Sequence, residues 1–251
     1  MTELYIGTSG WSYRHWRDCF YQKTTQKAWL RFYAERLNAV EINGTFYRLQ
    51  KASTFEKWHA ETPDSFRFAL KANRYLTHNK KLKDPKDSVL IEKQHALPLA
   101  DKLSAILWQL PQSLKKDLDR LKGFIEALKQ WPEVDHVIEF RHESWFDDET
   151  AEILSASGVA SCLSDSASWP LWKHAAGNHV YIRLHGHPET YVSSYSHGEL
   201  AQWAKTIAEH LQQGRTVHVY FNNDAKCAAP FNALTLHALL QHRPWIYTFR
   251  T

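Results

Sequence analysis

Short runs of apolar and β-branched residues recur along the chain, and a longer segment of mixed polarity separates each run from the next. Runs of this length, bounded by polar or turn-forming residues, predict buried β-strands. The eight runs are LYIGT (4–8), AVEIN (39–43), FRFALKA (66–72), SAILWQL (104–110), HVIEF (136–140), ASCLS (160–164), HVYIRLH (179–185) and TVHVYFN (216–222).

The segments between the runs have helical spacing. Apolar residues recur there in steps of three and four, which describes one buried helix face. The two clearest sets are Leu118, Leu121, Ile125 and Leu128, and Leu200, Trp203, Ile207 and Leu211. Two Ser-x-x-Glu pairs, at 53–56 and 196–199, have the capping-box pattern of helix starts. Gly158 and Gly214 fall where helices are expected to end.

Strands that alternate with helices predict parallel pairing, and eight such units can close into a TIM-type (β/α)8 barrel. A doubly wound open sheet is the alternative, but no strand is followed by G-x-G-x-x-G or G-x-x-x-x-G-K. The segment between Asp165 and His179 is short and contains Pro170, so the sixth helix is expected to be short or missing. With 251 residues, the chain is expected to form a single domain over 1–251, and PWIYTF (244–249) a closing segment.

Composition and charge narrow the class of protein further. The net charge of +4 gives no argument for nucleic acid by itself. No apolar run approaches the roughly 20 residues of a membrane span, and no export signal is evident, so we expect a cytoplasmic protein without a membrane partner. Cys19, Cys162 and Cys227 are odd in number and far apart, so we expect reduced thiols.

Charged and polar side chains concentrate at the C-terminal ends of the predicted strands. Residues two apart on a strand share a face, so pairs at this spacing can point together into a barrel. Four pairs do so: Glu41/Asn43, Lys71/Asn73, Glu139/Arg141 and Arg183/His185. Gln109, Asp165, Asn222 and Asp224 occupy equivalent strand ends. Long strand-to-helix loops meet at the same end, where barrels of this type bind ligands.

We therefore predict a site for a small anionic ligand at this mouth. Lys71, Arg141 and Arg183 would bind a phosphate or carboxylate group. Glu139 would transfer protons, with Asp165 and His185 as alternatives, and Glu41 would orient the cations or take part. Further candidate ligand contacts are Asn43, Gln109, Asn222 and Asp224, together with the aromatic rings of Trp11, Tyr13 and Trp145. Gly7 and Gly10 are expected to permit a tight loop near the ligand.

Two alternatives remain open. The charges could form a structural network that plugs the barrel. The basic loop NKKLKDPKD (79–87) could instead attract nucleic acid, with aromatic rings of the mouth stacking on bases. The rings considered are Trp11, Tyr13, Trp16, Phe46, Tyr47, Tyr75, Trp145, Trp169, Trp172, Tyr191 and Tyr195. A metal bound by His185, His187 and nearby carboxylates is disfavoured by the cations, so no metal or other cofactor is expected.

Eight ordered motifs resemble a known family over nearly the whole chain. They are IGTSGWSYRHW (6–16), VEINGTFYRL (40–49), FALKANRYLTHNKKLKD (68–84), QLP (109–111), EFRHESW (139–145), RLHG (183–186), WA (203–204) and YFNND (220–224). They resemble the YecE-like proteins, domain of unknown function family 72. The resemblance implies a TIM-type barrel with a shared cleft at these strand ends, but no established reaction. The family's fold likeness to sugar isomerases and an apurinic endonuclease implies nucleic acid as a partner by analogy alone. Gln22, Gln50 and Trp108 depart from the usual pattern, where proline, proline and phenylalanine are common.

Overall fold

The computed structural model describes residues 3–177 and 179–241. The eight predicted strands are all present and all pair in parallel. They are β1 (Leu4–Thr8), β2 (Ala39–Ile42), β3 (Arg67–Lys71), β4 (Leu103–Gln109), β5 (Asp135–Glu139), β6 (Ala160–Asp165), β7 (His179–Leu184) and β8 (Thr216–Phe221). The order β1-β8-β7-β6-β5-β4-β3-β2 confirms the TIM-type barrel.

Helices cover the outside of the barrel. They are α1 (Trp16–Cys19), α2 (Trp29–Ala34), α3 (Gly44–Tyr47), α4 (Ala52–Ala60), α5 (Pro85–Ala96), α6 (Leu118–Leu128), α7 (Asp148–Ser157), α8 (His197–Gln212) and α9 (Ala228–Gln241). A π-helical turn spans Tyr75–Asn79, and 3-10 turns span Gln26–Ala28, Leu97–Lys102, Glu143–Trp145 and Ala225–Cys227. Residues 166–177 contain no helix, which confirms that the sixth helix is missing.

The capping residues at the helix ends agree only in part with the prediction. Ser196 and Glu199 form the expected capping box at the start of α8, and Gly158 ends α7 in the left-handed conformation. The cap predicted at Ser53 is wrong. Lys51 is the extended residue before α4, so Ser53 already lies in the first turn and cannot be its cap. The closing segment 244–249 lies outside the described residues.

Side chains complete the barrel between β1 and β2. One parallel bridge joins Ser9, the residue after β1, to Glu41 in β2. The Tyr33 hydroxyl bridges β1 and β2. It accepts a hydrogen bond from Thr8 N at 2.8 Å and donates one to Ala39 O at 3.0 Å. The seam thus depends on a side chain where a strand ladder would otherwise satisfy the backbone.

Gly7 belongs to this seam. A Cβ atom at Gly7 would lie 1.9 Å from Ala39 O, so only glycine fits between the two strands. The prediction that Gly7 serves a ligand loop is therefore wrong. Gly10 does adopt a positive φ of 90° in the loop that follows β1.

Two cysteines depart from the sequence prediction. Cys19 and Cys227 form a disulfide, with their Cα atoms 6.6 Å apart. Their separation of 208 residues suggested independence, but β1 pairs with β8, so the first and last strand-to-helix loops are neighbours. Only Cys162 is a free thiol among the described residues, and its burial inside the barrel raises the pKa of the thiol.

Below the mouth, apolar and aromatic side chains fill most of the barrel interior. They are Tyr5, Ala39, Ala69, Ala105, Leu107, Val137, Ala160, Cys162, Tyr181 and Tyr220. The buried His218 stacks on Tyr181 among them. Residues two positions apart on a strand point to the same side. The next inward residues after Ala39, Ala69, Val137 and Tyr181 are therefore Glu41, Lys71, Glu139 and Arg183. The fold therefore brings the predicted charged residues to one level of the mouth.

Candidate functional site

The centre of the mouth is an enclosed ion cluster of Glu41, Arg183 and Glu139, which we call the charged plug. None of the three side chains has accessible surface. Arg183 Nε donates to Glu41 at 3.0 Å, and its Nη1 donates to Glu139 at 2.6 Å. Nη1 also lies 3.0 Å from His185 Nε2, while Nη2 donates to Glu41 at 2.8 Å and to Ser9 Oγ at 3.3 Å. All five N–H groups of Arg183 thus have acceptors, which leaves none for a ligand.

Glu139 is held ionised within the plug. Burial alone would raise the pKa of this carboxyl, but the guanidinium groups of Arg141 and Arg183 hold it well below its usual value. Its oxygens accept hydrogen bonds from Arg141 Nε at 2.6 Å and from Ser164 Oγ at 3.3 Å. Glu139 therefore orients two arginines, and it has no surface from which to exchange a proton with a ligand.

His185 and Asp165, the other two residues predicted to transfer protons, differ in access. His185 is fully buried, and burial followed by the charge of Arg183 holds its pKa well below the usual value. Since its Nε2 faces an Arg183 donor, the proton of the neutral ring is assigned to Nδ1, which lies 3.2 Å from Asp165 O. The Asp165 carboxylate is partly exposed; it accepts a hydrogen bond from Tyr195 and pairs with His187 at 2.9 Å.

Arg141 is the arginine that remains open. Its guanidinium lies 3.8 Å from the centre of the Trp169 ring, and only Nε is bonded, to Glu139. Within the described residues, Nη1 and Nη2 have no hydrogen-bond partner, and 12 % of the side chain is accessible. Stacking and the Glu139 contact fix the plane of the guanidinium while its outer nitrogens stay free.

Lys71 is the second cation of the mouth with donors that are not bonded. Its amine lies 4.1 Å from the centre of the Phe46 ring, and the described residues provide it with no hydrogen bond or ion pair. The side chain retains 8 % of its surface. Burial, then the charge of Arg183, lowers the pKa of Lys71 to about 7, against the opposing effects of Glu139 and Glu41. A large fraction of the amine is therefore neutral near pH 7.

The other predicted polar ligand contacts are bonded to the backbone or at least half-buried. Asn43 donates to Ser9 O at 3.2 Å, and Gln109 donates to Leu110 O at 3.3 Å. Asn222 is nearly buried, and burial raises the pKa of the half-buried Asp224 in the last loop.

The predicted aromatic contacts mainly support loops. Tyr13 donates to Ser9 O, and Trp11 packs edge-on against Trp58. Trp145 has no accessible surface and donates to Leu114 O at 2.8 Å, so any effect on a ligand would be indirect.

Tyr181 contacts the charged plug but was not among the predicted site residues. Its hydroxyl donates to Glu41 at 2.7 Å from inside the barrel. The signal was present in the alternation of Tyr181, Arg183 and His185 along β7, which puts all three on one face. Across residues 3–177 and 179–241, no three metal-binding side chains converge, and no helix is long and apolar enough to cross a membrane.

The fold and the mouth together define a TIM-type barrel protein with a charged, partly open site at the C-terminal ends of its strands. A family model described as "Protein of unknown function DUF72" matches residues 5–248. The chain therefore belongs to the DUF72 family.

Relatives agree with this assignment. The UPF0759 protein YunF of Bacillus subtilis is 27% identical, with 94% of each chain covered. The UPF0759 protein YecE of Escherichia coli K12 is 30% identical over 57% of this chain and 50% of that protein. The crystal structure of a DUF72 protein from Thermotoga maritima superposes with a TM-score of 0.85 at 28% identity and covers 95% of this chain and 99% of that one. A DUF72 structure from Enterococcus faecalis, at 18% identity and a TM-score of 0.82 over 96% of each chain, shares the fold.

Proposed function

We propose that the barrel mouth binds a small ligand bearing a phosphate or carboxylate group, with Arg141 and Lys71 as its cationic contacts. The observation that carries this proposal is the guanidinium of Arg141, stacked on Trp169 with two unpaired nitrogens. A guanidinium held in this way can donate two parallel hydrogen bonds to an oxyanion. Arg183, the third predicted contact, is assigned to the charged plug instead.

The charge balance of the mouth supports an anion. The carboxylates of Glu41 and Glu139 are matched by the guanidinium groups of Arg183 and Arg141. A proton on Lys71 then adds one uncompensated positive charge in a buried position, which is unfavourable. An anion that contacts Arg141 and Lys71 would compensate that charge and favour the protonated amine.

Isothermal titration calorimetry with inorganic phosphate and glycerol 3-phosphate tests this proposal. We expect Arg141→Gln to weaken binding about tenfold or more, because a hydrogen bond to a charged group contributes about 1.5–3 kcal/mol. Arg31→Gln is the matched control, since Arg31 is exposed on α2 and has no partner in the described part of the chain. Equal affinity of wild type and Arg141→Gln, with both folded, would refute the proposal.

If the site is catalytic, we assign proton transfer to the pair of Asp165 and His187. The two side chains lie 2.9 Å apart and are both partly exposed, whereas Glu139 and His185 are enclosed. NMR spectra of the His187 ring with and without glycerol 3-phosphate test this role. The ring resonances of His187 are expected to shift when the ligand is added, and identical resonances in both conditions would contradict it.

A second candidate function is binding of single-stranded nucleic acid at the rim of the mouth. Tyr47 and Tyr75 are 73% and 58% exposed, beside the exposed Arg48 and Arg74. Three lysines follow at positions 80, 81 and 83. Exposed rings next to cations suit stacking on bases and contact with phosphates.

Fluorescence anisotropy with a labelled single-stranded oligonucleotide tests this alternative. Binding should weaken steeply with added salt and in the triple variant Lys80→Gln, Lys81→Gln, Lys83→Gln. Lack of any anisotropy change at low salt would remove this function.

We also propose the cytoplasm as the protein's location, as the sequence predicts. The Cys19 to Cys227 disulfide is the observation that opposes this location, because disulfides are rare in reducing compartments such as the cytoplasm. Cell fractionation combined with thiol alkylation would test it, and recovery from an exported fraction would contradict it.

A further inference from the structure

We propose that Lys71 is a nucleophilic amine that forms an imine with the carbonyl carbon of an anionic aldehyde or ketone. This inference rests on the proposed function, since Arg141 would hold the anionic group, and it narrows the substrate class to carbonyl compounds. The geometry that carries it is a primary amine enclosed at the mouth without any bond to hold it there.

A comparison with a second buried lysine shows how unusual Lys71 is. Lys102 is 2% exposed, and its amine donates to His59 O and Thr62 O, both at 2.7 Å. That arrangement is what burial of an ammonium group ordinarily requires. Lys71 has a comparable burial, but its amine has only the face of Phe46 beside it among the described residues. Such an amine is available to react, whereas that of Lys102 is already bonded.

The surroundings of Lys71 keep part of its amine neutral and therefore nucleophilic. Burial and Arg183 lower the pKa of Lys71 to about 7, and only the neutral form carries the lone pair that attacks a carbonyl carbon. Glu41 and Glu139 oppose this shift. The charged or titratable groups that act on the amine from the neighbouring elements are Glu41, His78, Glu139, Arg141 and Arg183.

Lys71 and Arg141 suit two parts of one ligand. They stand at the ends of β3 and β5, on either side of β4, and both approach the mouth from the barrel wall. A short ligand whose carboxylate or phosphate binds Arg141 would present a nearby carbonyl to the Lys71 amine. By binding the anionic group, Arg141 would hold the carbonyl carbon next to the Lys71 amine, and this positioning makes the attack by Lys71 efficient.

The proposed reaction needs no oxidant or metal. The Lys71 nitrogen forms a bond to the carbonyl carbon, and the π electrons move to the oxygen. A proton passes from nitrogen to oxygen to give a carbinolamine. The nitrogen lone pair then expels the hydroxyl group, which leaves as water after it gains a solvent proton. Loss of the remaining N–H proton gives the neutral imine, so amine and carbonyl yield imine and one water.

Reductive trapping tests the inference. The whole chain is incubated with pyruvate or glycolaldehyde phosphate and sodium cyanoborohydride, and adducts are located by peptide mass spectrometry. We expect one dominant adduct on Lys71, with a trapping rate that rises through about pH 7 as the amine loses its proton. Lys71→Arg and Lys71→Met should both lose this adduct, whereas Lys205→Arg, at an exposed position of α8, should retain it.

Phosphate titration of the same variants separates this inference from the proposed function. Lys71→Arg keeps a cation, so phosphate binding without trapping in this variant is the expected combination. Adducts scattered over surface lysines and unchanged in Lys71→Arg and Lys71→Met would overturn the imine while leaving anion binding intact. Trapping at Lys71 in a protein that does not bind phosphate would support the amine's reactivity and overturn the proposed anion site.

Discussion

Replacing Lys71 with methionine should stabilise the protein, and the gain should depend on pH. Methionine has a similar length and favourable contacts with aromatic rings, so it can occupy the space beside Phe46. It removes a buried amine that no described residue pairs with. Lys71 thus lowers the free energy of unfolding at a position where an apolar side chain would fit. Such residues are expected at functional sites, because they are retained for function rather than for folding.

The magnitude follows from the pKa of the amine in the two states. The ordinary lysine value is 10.5, and in the folded protein burial and Arg183 lower the pKa of Lys71 to about 7. Each pKa unit corresponds to about 1.4 kcal/mol, so the protonated amine costs the folded state up to about 5 kcal/mol. Allowing for relaxation of the site and entry of water, we expect Lys71→Met to gain about 2–5 kcal/mol.

The direction with pH is fixed by proton binding. Between about pH 7 and 10.5, the unfolded wild type binds more protons than the folded wild type, so its free energy of unfolding rises with pH. Below pH 7 the cost is complete and constant. The advantage of Lys71→Met should therefore be largest at pH 6 and shrink by pH 9.

Urea unfolding at both pH values measures this effect, with tryptophan fluorescence and far-UV circular dichroism as parallel probes. Lys102→Met is the matched control. It should destabilise the protein at both pH values, since His59 O and Thr62 O would lose their donor. A Lys71→Met variant less stable than wild type at pH 6 would refute the reasoning, because it would show that the amine is charged and well paired.

Three further predictions concern the plug, the anion and the seam. Arg183→Met should cost about 3–5 kcal/mol in urea unfolding, because the buried carboxylates of Glu41 and Glu139 would lose their shared partner; an unchanged midpoint would mean that the plug is dispensable. Affinity for selenate, which remains a dianion over this range, should fall as pH rises above about 7, where Lys71 loses its charge, with proton uptake on binding measured by calorimetry in two buffers; an affinity that does not vary with pH would exclude Lys71 as a contact. Tyr33→Phe should lower stability by about 1–3 kcal/mol, since Thr8 N and Ala39 O would lose their bonds across the seam, and thermal unfolding equal to wild type would contradict that role.

The fold was accessible from sequence because each local signal agreed with the global architecture. The apolar runs had the length of buried strands, and the two clearest helical patterns became α6 and α8. Pro170 and the short segment around it correctly predicted a missing helix. The i, i+2 rule also placed Glu41, Lys71 and Arg183 together, because strand alternation is a property of the backbone and does not depend on neighbouring elements.

The roles of individual residues could not be predicted in the same way. Arg141 and Arg183 look equivalent in sequence, since both follow apolar strand residues near the mouth. They differ only in three-dimensional contacts: Arg183 is surrounded by acceptors, whereas Arg141 has one. The disulfide was missed for a related reason, because closure of the barrel makes Cys19 and Cys227 neighbours despite their distance along the chain.

The central claim is that Arg141 and Lys71 form an anion site above a structural plug. Crystals grown with selenate, an oxyanion with strong anomalous scattering, test it most directly. We expect an anomalous peak within hydrogen-bond distance of the Arg141 Nη atoms and of Lys71 Nζ, and its loss in Arg141→Gln. Selenate bound only at Lys80, Lys81 and Lys83, with none between Arg141 and Lys71, would contradict it.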